Sequence, residues 1–426
     1  MKDSLFFSGV RLLDPVNGLD AVRDVLVAEG RIEAIGEPGR GAPPPPSVKR
    51  VEGRGLLLAP GFRDVHVHFR DPGATRAETL ASGAASAARG GFTHVVTMPN
   101  TLPACDSPEL LRRQLEADLP VRILPSACLT VGRSGRAAAD LEALAAAGAA
   151  AFTDDGSGVA DDAVMEEAMR RAARAGRTVM DHAVDPALCG PGIIRDCETA
   201  RRFSFPVMPP EAEVEAVRRD IALCRKTGCR LHIQHVSCAG TVELLAAARR
   251  EGLPVTGEAS PHHLAIAAED IPGDDADFRM NPPLGTREDV AALRQAVLDG
   301  TLPLFATDHA PHEAAAKARG FRNAPSGVLG METAIGVTYD VMVRKCGMPP
   351  LEWARRWTQG PAEMLGLPPP SLREGDVADL VLVDPETPWT VEPAAFASLS
   401  RNCPFKGWTL NARAILVIAG GRLLAF

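Results

Sequence analysis

Three textures of hydrophobic and polar residues follow one another along the chain. From 24 to 36, β-prone residues alternate with turn residues, a pattern that predicts a hairpin. A loop is expected through Pro43 to Pro46. Residues 378–384 and 414–423 repeat the β-rich texture of the beginning, so the two ends are predicted to meet in one small domain. Between them eight short apolar runs recur, around Val65 and over 94–98, 121–125, 150–153, 178–181, 231–234, 255–258 and 302–307. Ala-rich amphipathic stretches such as 163–175 and 242–250 fill the intervals. Strands alternating with helices imply a parallel sheet, and eight such units imply a closed barrel. The expected fold is α/β: a (β/α)8 TIM-type barrel over 58–368, with a small β-sandwich domain formed by segments 1–57 and 369–426. The long intervals 182–231 and 258–302 are expected to carry extra loops.

Barrels of this type place their chemistry where the strands finish. The residues there are unusually polar: His66 and His68 on the first strand, Asn100 after the second, Asp154 and Asp155 after the fourth, His182 on the fifth, His235 on the sixth and Asp308 on the eighth. Alternate residues of an extended strand share a face, so His66, His68 and Arg70 project together. Imidazole pairs suit a borderline cation such as zinc, and a planar guanidinium suits a carboxylate. A single His at such a position is most often a satisfied core or capping residue. Five or six candidate ligands at corresponding ends of consecutive strands make a metal site instead.

Composition narrows the partners. With 54 acidic against 46 basic residues and a net charge of -8, the chain offers no basic stripe for nucleic acid. A small molecule or another protein is expected. Nine Cys, an odd number with no Cys-x-x-Cys, argue for a reducing compartment. The first residues lack the long apolar segment of a signal peptide, and no uninterrupted apolar run reaches the ~18 residues of a membrane span. A cytoplasmic protein with no membrane association is expected. Only six of the 46 basic residues are Lys, and none lies between 50 and 225.

The motifs at the strand ends are His66-Val67-His68-Phe69-Arg70-Asp71-Pro72-Gly73, Thr97-Met98-Pro99-Asn100-Thr101, Phe152-Thr153-Asp154-Asp155-Gly156, His235-Val236-Ser237, Pro261-His262-His263, Met280-Asn281-Pro282-Pro283-Leu284 and Ala306-Thr307-Asp308-His309-Ala310-Pro311-His312. With them the sequence resembles, over nearly its full length, the dihydroorotases of the amidohydrolase superfamily, specifically the bacterial class whose bridging ligand is an aspartate. The resemblance implies that His66, His68 and Asp308 hold one zinc, that His182 and His235 hold a second, and that Asp155 bridges them; one or two ions are compatible with it. The family's spacing selects Asp155 over Asp154, which is left to support the backbone. Hydantoinases and dihydropyrimidinases bridge their metals with a carbamylated Lys after the fourth strand, and this chain has no Lys there.

The activity implied is reversible cyclisation of N-carbamoyl-L-aspartate to L-dihydroorotate with loss of water, with Asp308 as the catalytic acid and base. Arg70 is expected to bind the substrate carboxylate. By resemblance Asn100 and His312 assist it, Asn281 contacts the ring, and the backbone at Ser326 and Gly327 meets the ring as well; His68 also borders the substrate. His94, His232, His262, His263 and His309 are expected in core or supporting roles. Two departures stand out: Ala183-Val184 follows His182 where the family commonly has Cys-Glu, and Ser326 stands where many relatives have Phe. A homo-oligomer, most simply a dimer, and a complex with aspartate carbamoyltransferase are also expected from the resemblance. Competing readings are a hydantoinase or allantoinase acting on another cyclic amide, and a noncatalytic dihydroorotase-like subunit of aspartate carbamoyltransferase.

Overall fold

All eight predicted runs form neighbouring parallel strands in the computed structural model of the chain, which describes residues 4–40, 44–46 and 48–424. Five strands precede the barrel: β1 (Leu5–Asp14), β2 (Leu19–Ala28), β3 (Arg31–Gly36), β4 (Lys49–Glu52) and β5 (Leu57–Pro60). The barrel strands are β6 (Phe62–Val67), β7 (Phe92–Thr97), β8 (Arg122–Ile123), β9 (Ala151–Phe152), β10 (Thr178–Asp181), β11 (Leu231–Ile233), β12 (Val255–Ala259) and β13 (Leu304–Phe305). Strands β6 to β8 form one parallel sheet and β9 to β13 another. Bridges from Ala127 to Phe152 and from Val67 to His309 join the two and close the ring.

The helices form where the pattern put them because each has an apolar face to bury. Helix Asp162–Arg174 begins at Asp161, whose carboxylate accepts from the amides of Ala163 and Val164, and it buries Met165, Ala168, Met169 and Ala172. Helix Ala239–Arg250 likewise buries Leu245 and Ala248. The two long intervals hold short added helices, Pro186–Cys189, Glu198–Phe203 and Pro261–Ala265, ahead of the barrel helices Glu211–Thr227 and Arg287–Asp299.

The chain ends meet as expected. Four more strands, β14 (Leu380–Asp384), β15 (Trp389–Thr390), β16 (Thr409–Leu410) and β17 (Arg413–Ala419), are followed by β18 (Arg422–Leu424). One hydrogen-bonded path runs β18-β17-β14-β5-β1-β2-β3, with β4 also on β1, and β2 and β3 make the expected hairpin. Phe7, Leu12, Val27, Leu58, Leu382 and Ile418, drawn from both ends, share the core of this domain. Pro43 of the expected proline loop lies outside the described residues.

Two segments near the expected domain limits show how the sheet and the barrel adjoin. Leu58, Ala59 and Pro60 belong to the terminal sheet, because β5 pairs with β14 through Leu58 and Leu382 before the chain enters the barrel at Phe62. Within the expected C-terminal part, residues 395–402 leave the sheet and pack on the barrel, where the carboxylates of Glu78 and Glu332 accept from the amides of 397–399 and from the Ser398 hydroxyl.

Candidate metal centre

Strand β6 alternates Val65 and Val67, fully buried, with His66 and His68, whose rings lie 5.4 Å apart at the end of the barrel. The Nε2 of His66 is 3.3 Å from Asp155 Oδ1 and 3.5 Å from Asp308 Oδ1. The Nε2 of His68 is 3.1 Å from Asp308 Oδ1 and 3.6 Å from Asp155 Oδ2. Two trios, His66–His68–Asp308 and His66–Asp155–His235, each bring their donor atoms within 4.8 Å of one another. Arg70, His235 and Asp308 hold φ of 52°, 34° and 48°. Such left-handed backbone costs an L residue on the order of 1 kcal/mol or more, and it gathers at functional sites.

His182 joins the group beside His235, the residue with which it was expected to pair. Its Nδ1 lies 3.7 Å from Asp155 Oδ1 but 2.8 Å from His235 Nε2, while its Nε2 is 2.9 Å from the amide nitrogen of Asn281. Two adjoining imidazoles satisfy each other by an N–H···N hydrogen bond, which draws His182 toward His235 rather than toward a trio of its own. The Asn281 amide donates to Nε2, so the proton of His182 is assigned to Nδ1.

The electrostatics suit a cation. Burial, then Arg70, pulls the His68 pKa down, and burial with the neighbouring His182 and His66 holds His235 well below the ordinary value, so both rings are neutral donors. Burial alone would raise the Asp155 carboxyl, but His68, His182 and His66 outweigh it and hold it well below the usual carboxylate range. Burial also disfavours charge on His66, yet Glu258, Asp308 and Asp155 together hold its pKa well above the ordinary value. The neutral rings of His68 and His235, with carboxylates that favour positive charge at His66, make a buried donor set in which a divalent metal takes the place of the proton on His66. His235 Nδ1, which carries that neutral ring's proton when Nε2 accepts from His182, is buried with no partner among the described residues.

A pocket of about 200 Å³ opens on this cluster and is lined by every predicted site residue except His66, which is fully buried in its floor. Asn100 does more than border it: its Oδ1 is 2.9 Å from His68 Nδ1 and its Nδ2 donates to Asp155 Oδ2 at 3.0 Å. That contact protonates His68 on Nδ1 and leaves Nε2 free toward the trio. Arg70 donates from Nε to the Pro311 carbonyl at 3.2 Å, which aims the guanidinium at the pocket without engaging it in an ion pair among the described residues. His312 donates from Nε2 to the Ser326 carbonyl at 2.7 Å, and burial followed by Arg70 pushes its pKa down to about 3. Asp154 turns away, accepting from the amide and hydroxyl of Thr130.

Sequence reasoning missed Glu258. Fully buried at the end of β12, it lies with Oε1 2.6 Å from His66 Nδ1 and Oε2 2.9 Å from His232 Nε2, and it accepts from the His235 amide at 3.0 Å. One carboxylate thus orients a ligand ring and the backbone of another ligand. The available signal was a Glu closing the seventh apolar run at the level of the ligands. Among the supporting His, His263 lies with Nε2 3.1 Å from the Pro282 carbonyl beside Asn281, and His309 lies 3.3 Å from Glu78. His94, on β7, contacts only its neighbour Thr93 by hydrogen bond.

Comparison with known proteins agrees with this geometry. A family model described as dihydro-orotase-like matches residues 55–240. The chain is 41% identical to a dihydroorotase of Anaeromyxobacter dehalogenans, covering 100% of this chain and 98% of that protein. It is 42% identical to a dihydroorotase of Bacillus caldolyticus over 87% of each chain. Among solved structures it is similar in fold to an L-hydantoinase from Arthrobacter aurescens, with a TM-score of 0.85, 24% identity, and 100% and 96% of the two chains covered. A dihydropyrimidinase from Brevibacillus agri gives a TM-score of 0.84 at 22% identity, covering 99% and 95%.

Proposed function

Because this chain belongs to the dihydroorotase family, we infer that it interconverts N-carbamoyl-L-aspartate and L-dihydroorotate in pyrimidine biosynthesis. The observation that carries the reading is the pocket in which carboxylates and imidazoles fit to hold a cation face Arg70. The protein is a cyclic amide hydrolase that depends on a divalent metal, and we assign zinc, one or two ions, on the strength of the His-rich donor set. His66, His68, Asp155, His182, His235 and Asp308 are assigned as its ligands. The ion, when bound, supplies Lewis acidity toward the scissile carbonyl and lowers the pKa of water.

The side chains divide the rest of the work. Asp308 takes the proton from water as its oxygen joins the ring carbonyl carbon, and returns it to the ring nitrogen as the C–N bond opens. Cyclisation runs the same transfers backwards. Arg70 binds the carboxylate outside the reacting amide through its planar fork, with Asn100 and His312 beside it. Asn281, Ser326 and Gly327 contact the ring. A cytoplasmic setting belongs to the same proposal, supported by nine free cysteines, of which seven are buried. No helix of the described residues is long and apolar enough to cross a membrane.

Purified, zinc-loaded protein is expected to convert each compound into the other and to leave hydantoin and allantoin untouched. Absence of turnover at full metal content refutes the reading. Arg70→Met is expected to raise KM for dihydroorotate about thirtyfold, the loss of one charge-assisted contact of ~2 kcal/mol, with a smaller change in kcat. An unchanged KM removes Arg70 from carboxylate binding. Self-association and a complex with aspartate carbamoyltransferase belong to the same proposal, tested by sedimentation and by co-purification of the two proteins.

A further inference from the structure

Among the described residues Lys317 is the single buried Lys of a chain that writes most of its basic positions as Arg. It ends the short helix Ala314–Lys317, five positions beyond His312. Its ammonium donates to the carbonyls of Gly327 at 2.9 Å, Pro325 at 3.2 Å and Arg279 at 3.4 Å. Three converging acceptors match the three donors of a compact ammonium and not the planar fork of Arg.

These carbonyls belong to two segments that both reach the pocket, one leading to Asn281 and the other carrying Ser326 and Gly327. The segments also touch directly: the Gly327 amide donates to the Arg279 carbonyl at 2.9 Å, and Arg279 Nε reaches Ser326 Oγ at 3.4 Å. From the far side Asn402 donates to the Gly327 carbonyl at 3.0 Å and accepts from the His312 amide at 3.2 Å. With the Ser326 carbonyl taken by His312, all three carbonyls of 325–327 are committed to fixed partners. The segment has no slack, because Gly327 sits at φ 137° and a Cβ there would come within 2.8 Å of His312 Nε2 and of Ala310 Cβ.

We propose that Lys317 is a positioning residue for ring binding, locking the Asn281 segment and the Ser326–Gly327 segment at the separation the substrate ring requires. The proposal rests on the assignment of Asn281, Ser326 and Gly327 as ring contacts. Lys317 touches none of the assigned metal ligands, so its effect is on substrate and not on the ion. Burial pulls its pKa down to about 8, with Asp277 and Asp275 opposing and Arg279 reinforcing the shift, so the clamp weakens as pH rises past that value.

The test uses the full-length, metal-loaded enzyme. Lys317→Met keeps the length and removes the donors; it is expected to raise KM for dihydroorotate about tenfold with kcat within about threefold of the parent and metal content unchanged. Lys317→Arg keeps the charge without the three-way geometry and is expected to raise KM as well. The parent KM should climb above about pH 8, a limb absent from Lys317→Met. Asn281→Ala separates this proposal from the one beneath it. If Asn281→Ala raises KM and Lys317→Met leaves it unchanged, the positioning role is overturned. If neither changes KM, the ring-contact assignment itself fails. An equal fall in kcat and in metal content for Lys317→Met reveals a merely structural residue and also overturns the proposal.

Discussion

Asp308→Asn is expected to lower turnover on the order of 10³-fold or more while leaving the fold and most of the bound metal in place. Asn has the size of Asp and is among the residues that best tolerate left-handed backbone, so the φ of 48° at this position is kept. The backbone on its N-terminal side is held independently, by the Thr307 amide and hydroxyl donating to the buried Asp64 carboxylate at 3.0 and 2.5 Å. His66 and His68, the other members of the trio, are untouched. What disappears is the anionic oxygen that shuttles a proton between water and the ring nitrogen. Excess zinc should not restore activity, because the defect lies in proton transfer. Turnover within about tenfold of the parent, at equal metal content, refutes the assignment of Asp308 as acid and base.

The barrel was legible because each of its strands is an apolar run with a helix-patterned interval after it, and that periodicity survives without knowledge of any contact. The candidate site was legible for a related reason: a polar residue that ends an apolar run is anomalous, and His66, His68, Asp155, His182, His235 and Asp308, which the fold gathers around one pocket, all end one. Glu258 satisfies the same rule but was not singled out, because its role depends on touching His66, which is 192 positions away. The direct hydrogen bond between the His182 and His235 rings was hidden for another reason. A competing N–H···N hydrogen bond is a matter of fractions of an ångström between rings on adjacent strands, which spacing along the chain does not encode. Residues 395–402 show a third limit. Their β-rich surroundings placed them in the terminal domain, whereas the carboxylates of Glu78 and Glu332, far off in sequence, draw them onto the barrel.

Glu258→Gln is expected to weaken metal retention about a hundredfold, the upper range for groups that orient a ligand from behind. The carboxylate serves three donors, the His66 ring, the His232 ring and the His235 amide, through its two oxygens. Burial by itself would raise its pKa, but His66 and His232 outweigh that and bring it to about 2, so it accepts as an anion at any pH where the enzyme works. An amide has one acceptor oxygen, and its NH2 then confronts an imidazole N–H. The nearest relief is for His66 to move its proton from Nδ1 to Nε2, the nitrogen that faces Asp155 and Asp308. That shift blocks the lone pair a cation needs. The deficit is therefore one of affinity, and activity should return toward the parent value as zinc is raised, in contrast to Asp308→Asn. Titration of the metal-free variant with zinc, followed by calorimetry and by dihydroorotate turnover, distinguishes the two. An unchanged zinc affinity means that Glu258 does not set the tautomer of His66.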